Sequence, residues 1–234
     1  MSDLLAALDA TWPAAVTHRA GPWLVREGLG GGKRVSCALA MLDEARDQIA
    51  LAEAAQAALG QPPLFCLRDG EAALDRALSD RGYRTVDPVR LYTAPCALLA
   101  AENPERLSSF PIWPPLAIMK EIWADGDVGP ARLAVMARAP GPKTAILGRA
   151  GDRAAGAVFA AVHGDIAMIH ALHVQPGMRR NGLARNLMRA AARWAQDQRA
   201  STIALAVTNA NAAANALYTT LGMTVAGHYH YRLK

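Results

Sequence analysis

Between Leu172 and Ala184 the sequence runs Leu-His-Val-Gln-Pro-Gly-Met-Arg-Arg-Asn-Gly-Leu-Ala: an apolar strand-like stretch, a proline-glycine turn, two arginines, and a glycine at the start of a helix-like stretch. Those residue types, in that order, suit anion binding. The first amides of a helix have no partner inside it, so a loop that turns them toward one point can hold phosphate oxygens. Arg179 and Arg180 can add charge-assisted contacts, and Gly182 keeps the approach clear of a side chain. Nearby, His170 titrates in the range useful to a base, and strand alternation puts Met168, His170, Leu172 and Val174 on one face. Asn211 could cap a helix, and Tyr218 in that helix offers a phenol.

Several elements must position these groups. Ile166 to Val174 reads as a strand ended by Pro176, and Lys143 to Gly148 and Ala154 to Val162 read as two strands before it, with turns at Gly151-Asp152 and Gly164-Asp165. Leu183 to Gln198 has helical period, with Leu187, Met188, Ala191 and Ala195 on one face and Arg185, Arg189 and Arg193 on another, read as a solvated stripe. Thr202 to Val207 is the next strand, and a helix follows Asn211 and closes at Gly222. Leu116 to Trp123 and Pro130 to Arg138 are helical, with Pro130 suited to a first turn. His228 to Leu233 alternates as a final strand; two histidines there lack a third ligand, and no metal is expected.

The first hundred residues carry less visible chemistry. They suggest a helix from Asp3 to Leu8 capped by Ser2, strands at Trp23–Arg26 and Arg34–Leu39, and a helix from Gln48 to Leu59 capped by Asp47. A strand at Leu64–Leu67, a helix at Glu71–Ser79 and a strand near Val89–Tyr92 follow. Gly28 to Lys33 is glycine-rich, but Glu27 stands where a Walker A loop needs glycine and Arg34 where it needs Ser or Thr. No dinucleotide fingerprint fits either, so the stretch reads as a hairpin turn. Sliding this half by 140 positions puts Gly82 on Gly222, Leu74 on Ala214 and Ala77 on Leu217, so the halves read as copies of one plan. Leu78 then falls where Tyr218 stands, and Glu71 where Asn211 stands.

The bulk properties narrow the field. The chain has 234 residues, 52% hydrophobic, and a formal net charge of +5, with no run of five like charges that would mark a nucleic-acid tail. Cys37, Cys66 and Cys96 are too widely spaced for a disulfide framework or metal cluster. No apolar run is long enough to span a bilayer, the N-terminus lacks the basic region of a secretory signal, and a cytoplasmic location is expected.

Arg179-x-x-Gly182-x-Ala184 after Val174-x-Pro176, followed by Asn211-x-x-Ala214-x-x-Leu217-Tyr218-x-x-Leu221-Gly222, resembles the signatures of the GCN5-related N-acetyltransferase (GNAT) superfamily, over roughly residues 115 to 234. The resemblance implies a mixed α/β (α+β) fold, a mostly antiparallel central sheet flanked by helices. It implies acetyl-CoA as cosubstrate and transfer of the acetyl group to a primary amine by direct attack, since no cysteine is placed as an acyl carrier. The cradle of Arg179, Arg180, Asn181, Gly182, Leu183 and Ala184 would take the pyrophosphate. The pantetheine arm would pair with the strand at Leu172, His173 and Val174, Asn211 would contact the coenzyme, and Tyr218 would protonate the departing thiolate. The run from His170 to Val174 is similar to the arylalkylamine branch, which carries base histidines on this strand, although Met168 stands where that branch has its other histidine. His170 is therefore the expected base, with Glu121 or a water relay as alternatives.

The expected organisation is two tandem GNAT-like domains: a degenerate one over residues 1–100, a linker over 101–115 marked by Pro104, Pro111, Pro114 and Pro115, and a catalytic one over 116–234. The acceptor is expected to be a small-molecule or peptide amine, with no nucleic-acid or membrane partner. The alternative is a non-catalytic acyl-CoA-binding sensor or partner-binding module.

Overall fold

The computed structural model describes residues 2–234, with side chains from Asp3; a capping role for Ser2 lies outside the described side chains. In the N-terminal half the elements are α1 (Ser2–Thr11), β1 (Val16–Ala20), β2 (Trp23–Glu27), β3 (Ala38–Ala40), α2 (Ile49–Ala58), β4 (Leu64–Arg68), α3 (Ala72–Asp80), β5 (Arg84–Pro95) and α4 (Cys96–Ala100). The C-terminal half has β6 (Ser109–Ile112), α5 (Ala117–Ala124), α6 (Pro130–Arg138), β7 (Lys143–Ala150), β8 (Arg153–His163), β9 (Ile166–Val174), α7 (Leu183–Asp197), β10 (Thr202–Thr208), α8 (Ala212–Thr220) and β11 (Thr224–Leu233). Single 3-10 turns lie at Lys33–Val35, Asp43–Asp47 and Pro176–Met178.

Three local expectations are corrected. Arg34 sits in a 3-10 turn instead of starting a strand, because Gly32, at φ 100, swings the chain inward before β3. Asp47 ends a 3-10 turn and does not cap α2, whose N-cap Gln48 makes no side-chain cap bond. Within 101–115, Ser109–Ile112 pairs with β7 as an edge strand, where Pro111 is tolerated because an edge needs fewer donors.

The strands form one eleven-stranded sheet in the order β1-β2-β3-β4-β11-β5-β10-β9-β8-β7-β6. Most neighbours are antiparallel; β3 with β4 and β9 with β10 are parallel. The two halves exchange strands at its centre. β11 lies between β4 and β5, and β5 lies between β11 and β10, so the last strand of each half is paired to the other half. α3 and β5 begin 140 positions before α8 and β11.

Helices cover both faces. α7 buries Leu187, Met188, Ala191 and Ala195 against β7, β8 and β9, as its periodicity predicts. Its arginine stripe is not merely solvated, since Arg189 pairs with Glu102 and Arg193 donates to the Ala100 carbonyl, tying α7 to α4. α2 and α3 cover one face of the N-terminal strands around Phe65 and Tyr83. α1 lies on the opposite face and crosses the seam, with Leu4 and Leu8 packed among Cys66, Met168 and Ala204 from both halves. That crossing brings the end of α1 to the site.

Candidate active site

Strands β9 and β10 pair only as far as Ile169 with Leu205. Beyond that, β9 stays on β8 to Val174, and β10 stays on β5 to Thr208, so the two diverge and leave the facing edge of β9 without a ladder. A cleft of about 1000 Å³ opens in the fork, with Leu172, His173 and Val174 along one wall. An unpaired strand edge is a template for a further extended chain.

The stretch expected to cradle an anion closes one end. Pro176–Met178 makes a 3-10 turn, and the Arg179 side chain reaches back so that its Nε donates to the Val174 carbonyl at 2.9 Å. Arg180 has φ 69, and Gly182 is the N-cap of α7 at φ 78, a left-handed geometry that glycine adopts without strain. Among the described residues, the amides of Arg180, Asn181 and Gly182 donate to no backbone carbonyl, and a Cβ at Gly182 would meet no atom within 4 Å. Free amides, a helix start and an open approach fit a pyrophosphate. Arg179, Arg180, Gly182, Leu183 and Ala184 line the cleft together with Arg185, which belonged to the stripe read as solvated; Asn181 is exposed beside it and is not part of the wall.

At the vertex of the fork, His170 faces the opposite way from Leu172 and Val174. A bulge causes this: Ala171, at φ 51, is an extra residue relative to β8, where pairing jumps from Phe159–His170 to Ala157–His173. Leu172 and Val174 pack toward α7, whereas Met168 and His170 face α1, so the expected single face is corrected. The Ala171 carbonyl accepts from Trp123 Nε1 at 2.8 Å, which anchors the bulge to α5.

His170 is buried, and both ring nitrogens are occupied. Arg34 Nη1 donates to Nδ1 at 3.3 Å, which leaves the proton on Nε2 to donate to Thr11 Oγ1 at 2.9 Å. Thr11 in turn donates to the Ala7 carbonyl at 2.7 Å, and Trp12 stacks on the ring at 4.9 Å between centroids. Burial, then the Arg34 charge, hold the imidazole well below its ordinary pKa. His173 is also depressed, by burial and Arg179 against the opposing pull of Asp125 and Asp127, and its Nε2 is buried without a partner. Glu121 is exposed on α5 and does not line the cleft.

Tyr218, in α8, lines the cleft and packs beside Tyr92 at 5.7 Å between centroids; burial raises its pKa, so the phenol is a neutral donor. Asn211 caps α8, its Oδ1 accepting from the Ala214 amide at 3.1 Å, and it also borders the cleft. Sequence reading passed over buried Asn215, which bonds the carbonyls of Thr208 and Asn211 and accepts from Tyr92, and so fixes the turn from β10 into α8. It also passed over the far wall: Trp12, Lys33, Arg34, Asp87, Arg132 and Tyr229 come from segments that local pattern gives no reason to bring together.

The family model for the Acetyltransferase (GNAT) family matches residues 109–223. The C-terminal half of this chain belongs to the GNAT family. The uncharacterized N-acetyltransferase YobR of Bacillus subtilis (strain 168) is 26% identical over 238 residues, covering 96% of this chain and 95% of its own. Among solved structures, a GCN5-related N-acetyltransferase from Kribbella flavida superposes with a TM-score of 0.77 at 18% identity, covering 100% of this chain and 94% of that one. A tandem GNAT protein from the clavulanic acid biosynthesis pathway gives 0.64 at 12% identity, covering 95% and 84%. At those identities the two structures speak for the fold: a mixed α/β GNAT architecture over the whole chain. Membership in the family makes the protein an acyltransferase in general terms. No helix among the described residues is long and apolar enough to cross a membrane.

Proposed function

We propose that the protein is an acetyl-CoA-dependent N-acetyltransferase that moves an acetyl group to a primary amine by direct attack on the thioester. The fork between β9 and β10, with the cradle at its mouth, carries this reading. Acetyl-CoA, when bound, supplies the activated acetyl group and a thiolate leaving group. The free amides from Arg180 to Gly182 would hold the pyrophosphate, with Arg180 and Arg185 adding charge. The unpaired edge of β9 at Leu172, His173 and Val174 would bind the extended arm and polarise the thioester carbonyl. Tyr218 would donate its proton to the sulfur.

His170, the base expected from sequence, has no free nitrogen and a depressed proton affinity, so we assign it instead to holding Arg34 in place. The amine's proton would leave through water in the cleft. The N-terminal half we read as a domain of the same plan, over 1–100, that holds no coenzyme. The turn preceding α2 carries Asp43, Glu44 and Asp47 against a single arginine, Arg46, which pairs with Asp47, where the turn preceding α7 carries Arg179 and Arg180, and the remaining negative charge there repels phosphate. Three free thiols, Cys37, Cys66 and Cys96, are in keeping with a reducing, cytoplasmic setting.

The test is release of free CoA from acetyl-CoA with a panel of primary amines, beside calorimetric binding of acetyl-CoA. Amine-dependent release supports the enzyme; binding without release by any amine would point to the acyl-CoA sensor.

A further inference from the structure

The glycine-rich loop from Gly28 to Lys33 forms the far wall of the cleft, and Arg34 at its end reaches the vertex of the fork. The loop needs its glycines for this. A Cβ at Gly31 would lie 2.6 Å from Val135 and 2.8 Å from Val35, and Gly32 has φ 100 with the Arg132 Nε 3.6 Å from where its Cβ would sit.

Arg34 is a cation without a direct ion-pair partner: the nearest acid whose charge acts on it, Asp9, is taken up by Arg26 and Arg68. Its Nη1 donates to His170 Nδ1 at 3.3 Å and its Nη2 to the Tyr229 hydroxyl at 3.2 Å, both neutral acceptors. Its Nε is buried and takes no partner, and no ion pair among the described residues includes it. A guanidinium has five N–H groups in a planar fork suited to a carboxylate, and these two bonds use two of them. Asp87, the acid on this wall, is held by Lys33 at 2.7 Å. Arg132, also on the wall, donates to the Asp127 carbonyl and has no carboxylate partner either. Three cations and one carboxylate therefore line the wall of the cleft that lies across from the cradle.

We propose that Arg34 is the binding group for a carboxylate on the acceptor, so that the substrates are amines of amino-acid type whose own anion completes this site. The inference rests on the proposed acetyltransferase reading. A carboxylate on Arg34 seats the acceptor at the vertex, beside the β9 edge, and the excess positive charge turns away polyamines and lysine-rich peptides.

The experiment compares matched pairs: glycine, β-alanine, L-alanine, L-glutamate and L-phenylalanine against their carboxamides, with O-phosphoethanolamine and spermidine as further arms. KM is measured by acetyl transfer, and affinity by calorimetry on the CoA-loaded protein. At least one carboxylate should be favoured over its carboxamide by tenfold or more. Arg34→Met should abolish that preference with acetyl-CoA affinity unchanged, and Arg34→Lys should retain part of it. Equal use of acid and amide, a preference for spermidine or the phosphoamine, or no binding by any amino acid would overturn the proposal. Because calorimetry needs no turnover, a carboxylate preference in binding without any acetylation would sink the enzyme reading and leave the Arg34 assignment standing.

Discussion

Arg34 Nη1 and His170 Nδ1 lie 3.3 Å apart although 136 positions separate them, and the bond joins the two halves of the chain at the vertex of the fork. An arginine can only donate, so His170 must be neutral for the contact to exist. Protonating the ring would turn a hydrogen bond into a repulsion between the buried imidazolium and the Arg34 guanidinium.

The pH dependence of stability follows. A histidine whose folded pKa lies below its unfolded value of about 6.5 gives stability that is complete above that pH and is lost as pH falls toward the folded pKa. The loss can reach about 1.4 kcal/mol per pH unit for one group. Urea unfolding midpoints between pH 5 and 7.5 should fall more steeply for the native protein than for His170→Gln; parallel profiles would show that His170 is not buried neutral. The same variant should raise KM for the amine while acetyl-CoA affinity holds, a split that loss of packing alone would not produce.

Gly182→Val should abolish acetyl-CoA binding. A β-branched residue at φ 78 is strained by about 1–2 kcal/mol, and its side chain would project into the open approach to the cradle. Calorimetry on the native protein should give one site per chain and on the variant none. A residual site would place a second coenzyme in the N-terminal half despite Asp43, Glu44 and Asp47.

Most of the elements were legible because periodicity is local. α7, β9 and α8 could be read from residues within a few positions of each other, and the cradle from thirteen consecutive ones. The bulge at Ala171 was not legible: nothing in an alanine signals a left-handed backbone, yet that single residue reverses the face on which His170 sits. Nor was the far wall. Arg34, Trp12 and Tyr229 meet only because α1 crosses the sheet and β11 crosses into the other half, and both are choices of long-range pairing that no local pattern encodes.

Tyr218→Phe separates acid catalysis from packing. The hydroxyl is removed with the ring kept beside Tyr92, so thermal stability should change little, while kcat should drop about a hundredfold, within the usual worth of a positioned acid. Since burial raises its pKa, Tyr218 stays protonated through neutral pH, and it should cause no fall in kcat as pH rises from 6 to 9. An unchanged kcat at saturating amine would remove it from the chemistry.

Asn215→Ala should destabilise the fold by about 1–2 kcal/mol, since it removes three hydrogen bonds and orphans the buried Tyr92 hydroxyl, while the carbonyls of Thr208 and Asn211 keep the backbone amides of Asn211 and residue 215. Urea unfolding reads this directly. Tyr92→Phe in the same background should add less than it does alone, because the partner of its hydroxyl is already gone.

The strand exchange makes the two halves one folding problem. β5 takes both of its neighbours, β11 and β10, from the C-terminal half, while β11 takes β4 and β5 from the N-terminal half. Separately made fragments 1–107 and 108–234 would each leave an exposed strand edge, and the second would also lose α1 from the face beside His170. Each fragment alone should lack cooperative unfolding, and mixing them should restore both cooperativity and acetyl-CoA binding with a midpoint that depends on concentration. If fragment 108–234 instead folds alone and binds acetyl-CoA as tightly as the full chain, then β11 can return to β10 within its own half. The exchange would then be a second way of closing the sheet, and the N-terminal half would be needed only for the acceptor wall that carries Arg34.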